Sequence, residues 1–470
     1  MIRPPGRRRP RAAAAHLAGS APRLRWEERA LPGGGRLLVT PMAERASVTV
    51  SLLLDVGSRH ESLAQAGLSH LLEHMVFKGT RRYPSGRAVS EAIEGVGGVL
   101  NGGTDKEATV FWAKVPAAHA ERAVDVLLEL AFAAVLDPLE LAKERRVVLE
   151  ELRMVRDQPQ DLVNVDLEAA LWPGHALGRD PGGTPGSVRR ATGDDVARHR
   201  RRHYRAAALV VSIAGAIEVD RAAHLVASRL EALLEAAGSA PVAGRADGPG
   251  PARRAAPARP LAPGTAVHLR HRRTEQAHCL VALRAPSYLD PDRTVLDVLN
   301  GVLGEGMSSR LFLELREERG LAYDVGSFTV KFKDTGALVL AVATEPAQAE
   351  AAVTGAWREL HRLAEERVPG PELRKVREYL KGRLLLGVEG TSAVSDFVGQ
   401  QALLLGAPRS PAELVEAIER VDAEAVRGLA ARLLAAGAVR AAIVGPLRDP
   451  EPFRALLEAN GTNMSQEASA

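Results

Sequence analysis

The 470-residue chain has one cysteine, Cys279, so no disulfide within it can substitute for a packed core. Aromatic residues are scarce at 4%, which leaves few rings on which nucleobases could stack. No apolar run approaches the roughly 18 uncharged residues that a membrane-spanning helix needs, which excludes an integral helical membrane protein. Acidic residues are missing from the first 25 positions, where Arg3, Arg7, Arg8, Arg9, Arg11, Arg23 and Arg25 stand. Without those seven cations the formal net charge of +4 becomes about −3 for residues 26–470, so the pI near 9.3 is a property of the tail. No nucleic-acid partner is expected.

Residues 1–25 are rich in Pro and Arg, and their apolar stretch around Ala12 to Leu17 is too short for the core of a secretory signal. They are expected to form a disordered basic tail. A cytoplasmic location is expected, in keeping with one free cysteine.

The remainder, with 46% hydrophobic and 26% charged residues overall, has the composition of a globular protein with two or three domains. Residues 236–265 are dominated by Ala, Pro, Gly and Arg and carry neither structural period, so they read as a linker. On either side, 26–235 and 266–456, elements follow in the same order, and 457–470 reads as a C-terminal tail. Strand-like runs Arg36–Thr40 and Ser47–Val56 precede a helix through His74, a strand Ala108–Val115 and a helix Ala118–Val135. Their counterparts are Ala266–Arg270, His278–Ala285, a helix Arg293–Gly304, strands Ser327–Phe332 and Gly336–Thr344, and a helix Ala347–Leu363. Each half then has a charged helical stretch and closes on an apolar β run, Ala208–Ile217 or Val439–Val444. The expected class is α+β: two duplicated α/β sandwiches, each a mostly antiparallel sheet with helices packed on it.

The segment Gly67–Thr80 contains His70, Glu73 and His74 in the order H-x-x-E-H, with neither Pro nor Gly from Leu68 to Lys78. Apolar Leu68, Leu71, Leu72, Met75 and Val76 supply a buried face, so a helix is expected. Its 3.6-residue turn lets both imidazoles reach one ion. Glu73 lies on an adjoining edge, placed to face a water. Two imidazoles rarely hold zinc tightly alone, so a third ligand is required. Glu144 and Glu151, two turns apart on the next informative helix, share a face.

H-x-x-E-H followed after 76 residues by Glu151, itself seven positions beyond Glu144-Arg145, resembles the inverzincin metallopeptidases, and within them the processing-peptidase branch. The strings Asp55-Val-Gly-Ser-Arg59, His74-Met-Val-Phe-Lys-Gly-Thr80, Leu100-Asn-Gly-Gly-Thr-Asp-Lys-Glu107 and Gly306-Met-Ser-Ser-Arg-Leu-Phe carry the likeness over roughly residues 30–450. The resemblance implies one Zn²⁺ per chain held by His70, His74 and Glu151, with Glu73 as general base. Adjacent Glu150 competes for the third position, and the offset from Glu144-Arg145 favours Glu151. Glu107 and Glu144 match acidic positions near the family's site, where they would orient imidazoles. Arg316 and Tyr323 match a pair that reaches across from the second half to stabilise the carbonyl oxygen. The residues aligned with the zinc helix in the second half, Val295–Leu303, contain no histidine, so that half is expected to be inert.

The implied activity is zinc-dependent endopeptidase action on short or unfolded peptides inside a chamber between the halves. Substrate is expected as an added strand along Asn101, Gly102, Gly103 and Thr104. A homodimer is expected. The alternatives are a catalytically silent core-type subunit and the catalytic subunit of a heteromeric processing peptidase.

Overall fold

The computed structural model describes residues 24–236 and 255–459. The basic tail through residue 23 and most of the expected linker lie outside the described residues. The first half forms β1 (Glu27–Ala30), β2 (Arg36–Pro41), β3 (Ser47–Leu54), β4 (Val99–Thr104), β5 (Thr109–Pro116) and β6 (Leu209–Gly215), ordered β1-β2-β6-β3-β5-β4. The second forms β7 (Gly264–His271), β8 (Ala277–Ala285), β9 (Asp324–Lys331), β10 (Gly336–Thr344) and β11 (Ala438–Gly445), ordered β7-β11-β8-β10-β9. Setting β1 aside, the two orders correspond strand for strand. Each has one parallel pair, β2 with β6 and β7 with β11, among antiparallel neighbours. The chain is a duplicated α+β protein.

Five helices position the rest: α1 (Leu68–Val76), α2 (Pro138–Asp157), α3 (Pro159–Leu171), α4 (Gly193–His203) and α5 (Thr391–Leu405). The alternation along β3 explains the layering. Val48, Val50, Leu52 and Leu54 belong to the core shared with the first half's own helices Ala120–Ala133 and Val219–Ala236. The opposite face, Thr49, Ser51 and Leu53, meets α5 of the second half: Thr49 bonds Thr391 at 3.0 Å and Ser51 bonds Ser395 at 2.8 Å. The exchange is reciprocal. α3 of the first half places Leu162, Val163, Leu167 and Leu171, followed by Trp172, on the second sheet's Leu280, Ala282, Val339, Ala442 and Val444.

Both sheets are thereby covered on both faces, which is why β6 is buried along its whole length. The close seat of α5 needs Gly399, where a Cβ would stand 2.7 Å from Leu53 Cδ1 and 3.0 Å from Ser212 Cβ. At the end of the expected linker, Ala256 accepts from Arg59, and Ala258 and Leu261 pack on the core between α3 and the second sheet. The C-terminal helix runs Glu451–Glu458 with Leu457 buried, past the expected start of the tail at 457.

Candidate metal centre

α1 begins after Gly67, whose φ of +92° is open to glycine and whose Cβ, had it one, would stand 2.5 Å from the Gly182 carbonyl oxygen. Leu68, Leu71, Leu72, Met75 and Val76 anchor its apolar face, leaving His70, Glu73 and His74 on the half-buried side. α2 packs beside it and brings Glu151.

The Nε2 atoms of His70 and His74 are 3.2 Å apart, and Glu151 Oε2 stands 3.8 Å from the first and 3.7 Å from the second. Ligands about 2.0–2.1 Å from a tetrahedral ion are separated by about 3.3 Å, so the two imidazoles stand at ligand spacing and Glu151 somewhat wider. Glu151 Oε2 is buried with no hydrogen-bond partner, as is His70 Nδ1. An orphaned carboxylate oxygen this close to two imidazole nitrogens fits a cation between them. Burial, helped by neighbouring His74, pushes the His70 imidazole down to about 4, which leaves it neutral and able to donate its lone pair. Among the described residues this is the one such His/Cys/Asp/Glu cluster.

Glu144 lies one step behind the triad. Its Oε2 is 3.0 Å from His74 Nδ1 and its Oε1 is 2.8 Å from Lys78 Nζ. Burial alone would raise this carboxyl, but hydrogen bonds from Lys78 and His74 hold it below the ordinary range. Lys78 was not singled out from the sequence, although its position four residues beyond His74 on the same face was the available signal. Burial raises the Glu73 carboxyl, with Glu151 adding to the effect, while His74 and hydrogen bonds from Thr104 oppose it. Glu73 thus lies near Thr104 at the end of β4, the free edge of the first sheet.

The remaining expected residues fall into four groups. Glu150 is exposed and paired with Arg153, so it faces away from the triad. Glu107 does not stand beside the imidazoles: Arg59 takes one of its oxygens at 2.5 Å and the Lys333 backbone N–H takes the other at 2.9 Å. With Arg59 also bonded to Asp334 at 2.6 Å and Lys333 to Asp55 at 2.6 Å, Glu107 belongs to a bridge between the halves. A carboxylate that far along the chain from its partners has no local spacing to betray them. Arg316 and Tyr323 meet each other in the second half, the guanidinium 5.4 Å from the Tyr323 ring and 5.0 Å from Phe312. Their described contacts remain within that half, and Tyr323 is 73% exposed.

Gly102, Gly103 and Thr104 line a cavity of about 800 Å³ whose other walls include Tyr288, Phe332 and Phe397 of the second half. Asn101 precedes them on the same edge strand.

This duplicated fold and this triad define a metallopeptidase-type protein. The profile described as Insulinase (Peptidase family M16) matches residues 37–184, and that described as Peptidase M16 inactive domain matches residues 190–380. The chain is 34% identical over 429 residues to a protein named as an uncharacterized zinc protease in Streptomyces coelicolor, covering 90% of each. It is 30% identical over 428 residues to a probable mitochondrial-processing peptidase subunit beta of Arabidopsis thaliana, covering 89% of this chain and 78% of that one. The crystal structure of a protease from Helicobacter pylori shares the fold, with a TM-score of 0.80 at 20% identity over 90% of this chain and 100% of that one. The chain belongs to the M16 peptidase family.

Proposed function

We propose that the protein is a zinc endopeptidase that cuts extended or unfolded peptides laid against the edge of β4. The observation that carries this reading is the convergence of His70, His74 and Glu151 beside Glu73, on a helix packed against that edge. Relatives named as zinc proteases support the choice of metal. Zinc held by the triad, one ion per chain, supplies Lewis acidity toward a peptide carbonyl and toward water.

The chain's own groups do the rest. Glu73 takes the proton of the attacking water and returns it to the leaving amine nitrogen. Burial, which favours its protonated form, assists the uptake, and the Thr104 contact, which favours the carboxylate, assists the return. Glu144 holds His74 in orientation. An incoming peptide pairs with the outer edge of Asn101 to Thr104 as a further strand, and the cavity beyond receives its side chains. Arg316 and Tyr323 are donors for the developing carbonyl charge. Their mutual stacking supports this role by presenting an exposed phenol with the cation already beside it. Two chains pair as a homodimer around the chamber, and the sole cysteine favours a reducing, cytoplasmic setting.

Metal analysis combined with hydrolysis of a quenched extended peptide by wild type and Glu73→Gln tests the reading. Bound zinc with cleavage that the variant lacks is the expected result. Protein without zinc and without cleavage would be a silent subunit.

A further inference from the structure

Ser69, the residue before the first imidazole, is held from two sides. α1 has no side-chain cap of its own, because Gly67 at its N-terminal boundary offers none. The N–H groups at its start are taken instead by Glu61, in the loop after the Ser58–His60 turn. Gly67 N–H donates to Glu61 Oε2 at 2.8 Å, and Ser69 N–H donates to Oε1 at 2.6 Å. From the opposite side, the Ser69 hydroxyl meets Nε2 of His199 on α4 at 3.0 Å. Glu61 is 5% exposed and His199 is 3% exposed, so both contacts are shielded from water.

A carboxylate spanning two N–H groups at a helix start is charge-assisted and aligned with the helix dipole. α1 is only nine residues long and carries both imidazoles, so whatever fixes its first turn also fixes His70. Burial pushes the Glu61 carboxyl up to about 7, against hydrogen bonds from Ser69 and Gly67 and the charge of Arg179. Arg179 donates to the Glu61 carbonyl oxygen at 2.6 Å. Arg59, His60, His175, Arg202 and His203 are the other cations and imidazoles of the surrounding pocket.

We infer that Glu61 is a positioning residue for the metal centre: by clamping the first turn of α1 it sets where His70 stands relative to His74 and Glu151. The inference rests on the zinc reading of that triad. A clamp of this kind needs two acceptor oxygens. Glu61→Gln keeps the shape but turns an N–H₂ toward a backbone N–H, whereas Glu61→Asp keeps the charge and falls one methylene short.

Zinc affinity of the full chain, measured by chelator competition from pH 6 to 8.5, tests the clamp. Glu61→Gln is expected to bind zinc about 10- to 100-fold more weakly than wild type, with Glu61→Asp between them. At saturating zinc, kcat for a peptide is expected to fall while KM stays put. The affinity gap between wild type and Glu61→Gln should narrow below about pH 7, where the wild-type side chain becomes neutral too. In metal-free protein, amide exchange across residues 67–72 should quicken in Glu61→Gln. A folded Glu61→Gln protein with wild-type affinity, or one that outperforms Glu61→Asp, would overturn the inference. Should Glu61→Gln not fold, wild-type affinity in Glu61→Asp would overturn it equally. Wild-type protein that binds no zinc would overturn the zinc reading instead, and the exchange measurement would still decide whether Glu61 clamps the helix.

Discussion

His74 Nδ1 stands 3.0 Å from Glu144 Oε2, and this one contact decides which ring nitrogen faces the metal pocket. Glu144 is held below the ordinary carboxylate range, so it accepts and His74 Nδ1 carries the hydrogen. Nε2 is the nitrogen turned to the pocket, 3.2 Å from Nε2 of His70. His70 has no such support, because its Nδ1 is buried without a partner. One imidazole is oriented through its side chain and the other through the helix that carries it.

Glu144→Ala should therefore weaken zinc binding by about 10- to 100-fold without removing a ligand. Lys78→Met should cost less, because it removes a cation from Glu144 but leaves the His74 contact in place. Chelator competition on the two variants checks the order. Equal affinities in Glu144→Ala and wild type would show that His74 needs no orienting partner.

The identity of the third ligand separates two adjacent residues by direction. Glu151 points between the imidazoles and Glu150 points to solvent, paired with Arg153. Glu151→Ala is expected to lose most of the metal, because two imidazoles remain, and Glu150→Ala to keep about one zinc per chain. Elemental analysis of the purified variants decides.

Glu73→Gln should retain zinc and hydrolyse peptides at least about a hundredfold more slowly, since the amide cannot take up a proton. Turnover at the wild-type rate would remove Glu73 from the reaction. The comparison is made at equal zinc occupancy, measured on the same samples.

The helix of the two imidazoles was legible in the sequence because histidines at i and i+4 among apolar Leu68, Leu71, Leu72, Met75 and Val76 specify both a helix and a shared direction. The duplicated order of elements was legible because the apolar runs repeat. β4 was not, because Val99-Leu-Asn-Gly-Gly-Thr104 has two glycines and one polar amide where a strand signal would be, and only the β5 ladder makes it a strand. The reciprocal exchange of α3 and α5 was hidden for a different reason. An apolar helix face states that something covers it, and not which sheet does.

That exchange makes a prediction about stability. Gly399→Val puts atoms where Leu53 and Ser212 already stand, and overpacking of this kind costs roughly 1–3 kcal/mol. Gly428, in the helix Ala423–Ala435, is the control. Its Cβ would meet only the Arg432 guanidinium at 3.9 Å, so Gly428→Ala should stabilise by about 0.5–1 kcal/mol through helix propensity. Urea unfolding followed by circular dichroism measures both. A Gly399→Val protein as stable as wild type would mean that α5 does not seat this closely on the first sheet.

Tyr323→Phe asks whether the second half takes part in the chemistry. The ring is 73% exposed and stacks against the Arg316 guanidinium, so the substitution keeps the ring and its cation contact while deleting a single hydroxyl donor. If that hydroxyl meets the substrate carbonyl oxygen as charge builds on it, its loss should weaken transition-state stabilisation by roughly 2–4 kcal/mol, about 30- to 1000-fold in kcat/KM. Zinc content and melting temperature should barely move, since Tyr323 is outside the triad and its side chain is largely in solvent. Arg316→Ala should slow the reaction as well, and it also removes the cation that holds the ring, so Tyr323→Phe is the cleaner measurement. An unchanged kcat/KM in Tyr323→Phe would confine the chemistry to the first half and leave Tyr323 as a surface aromatic stacked on an arginine.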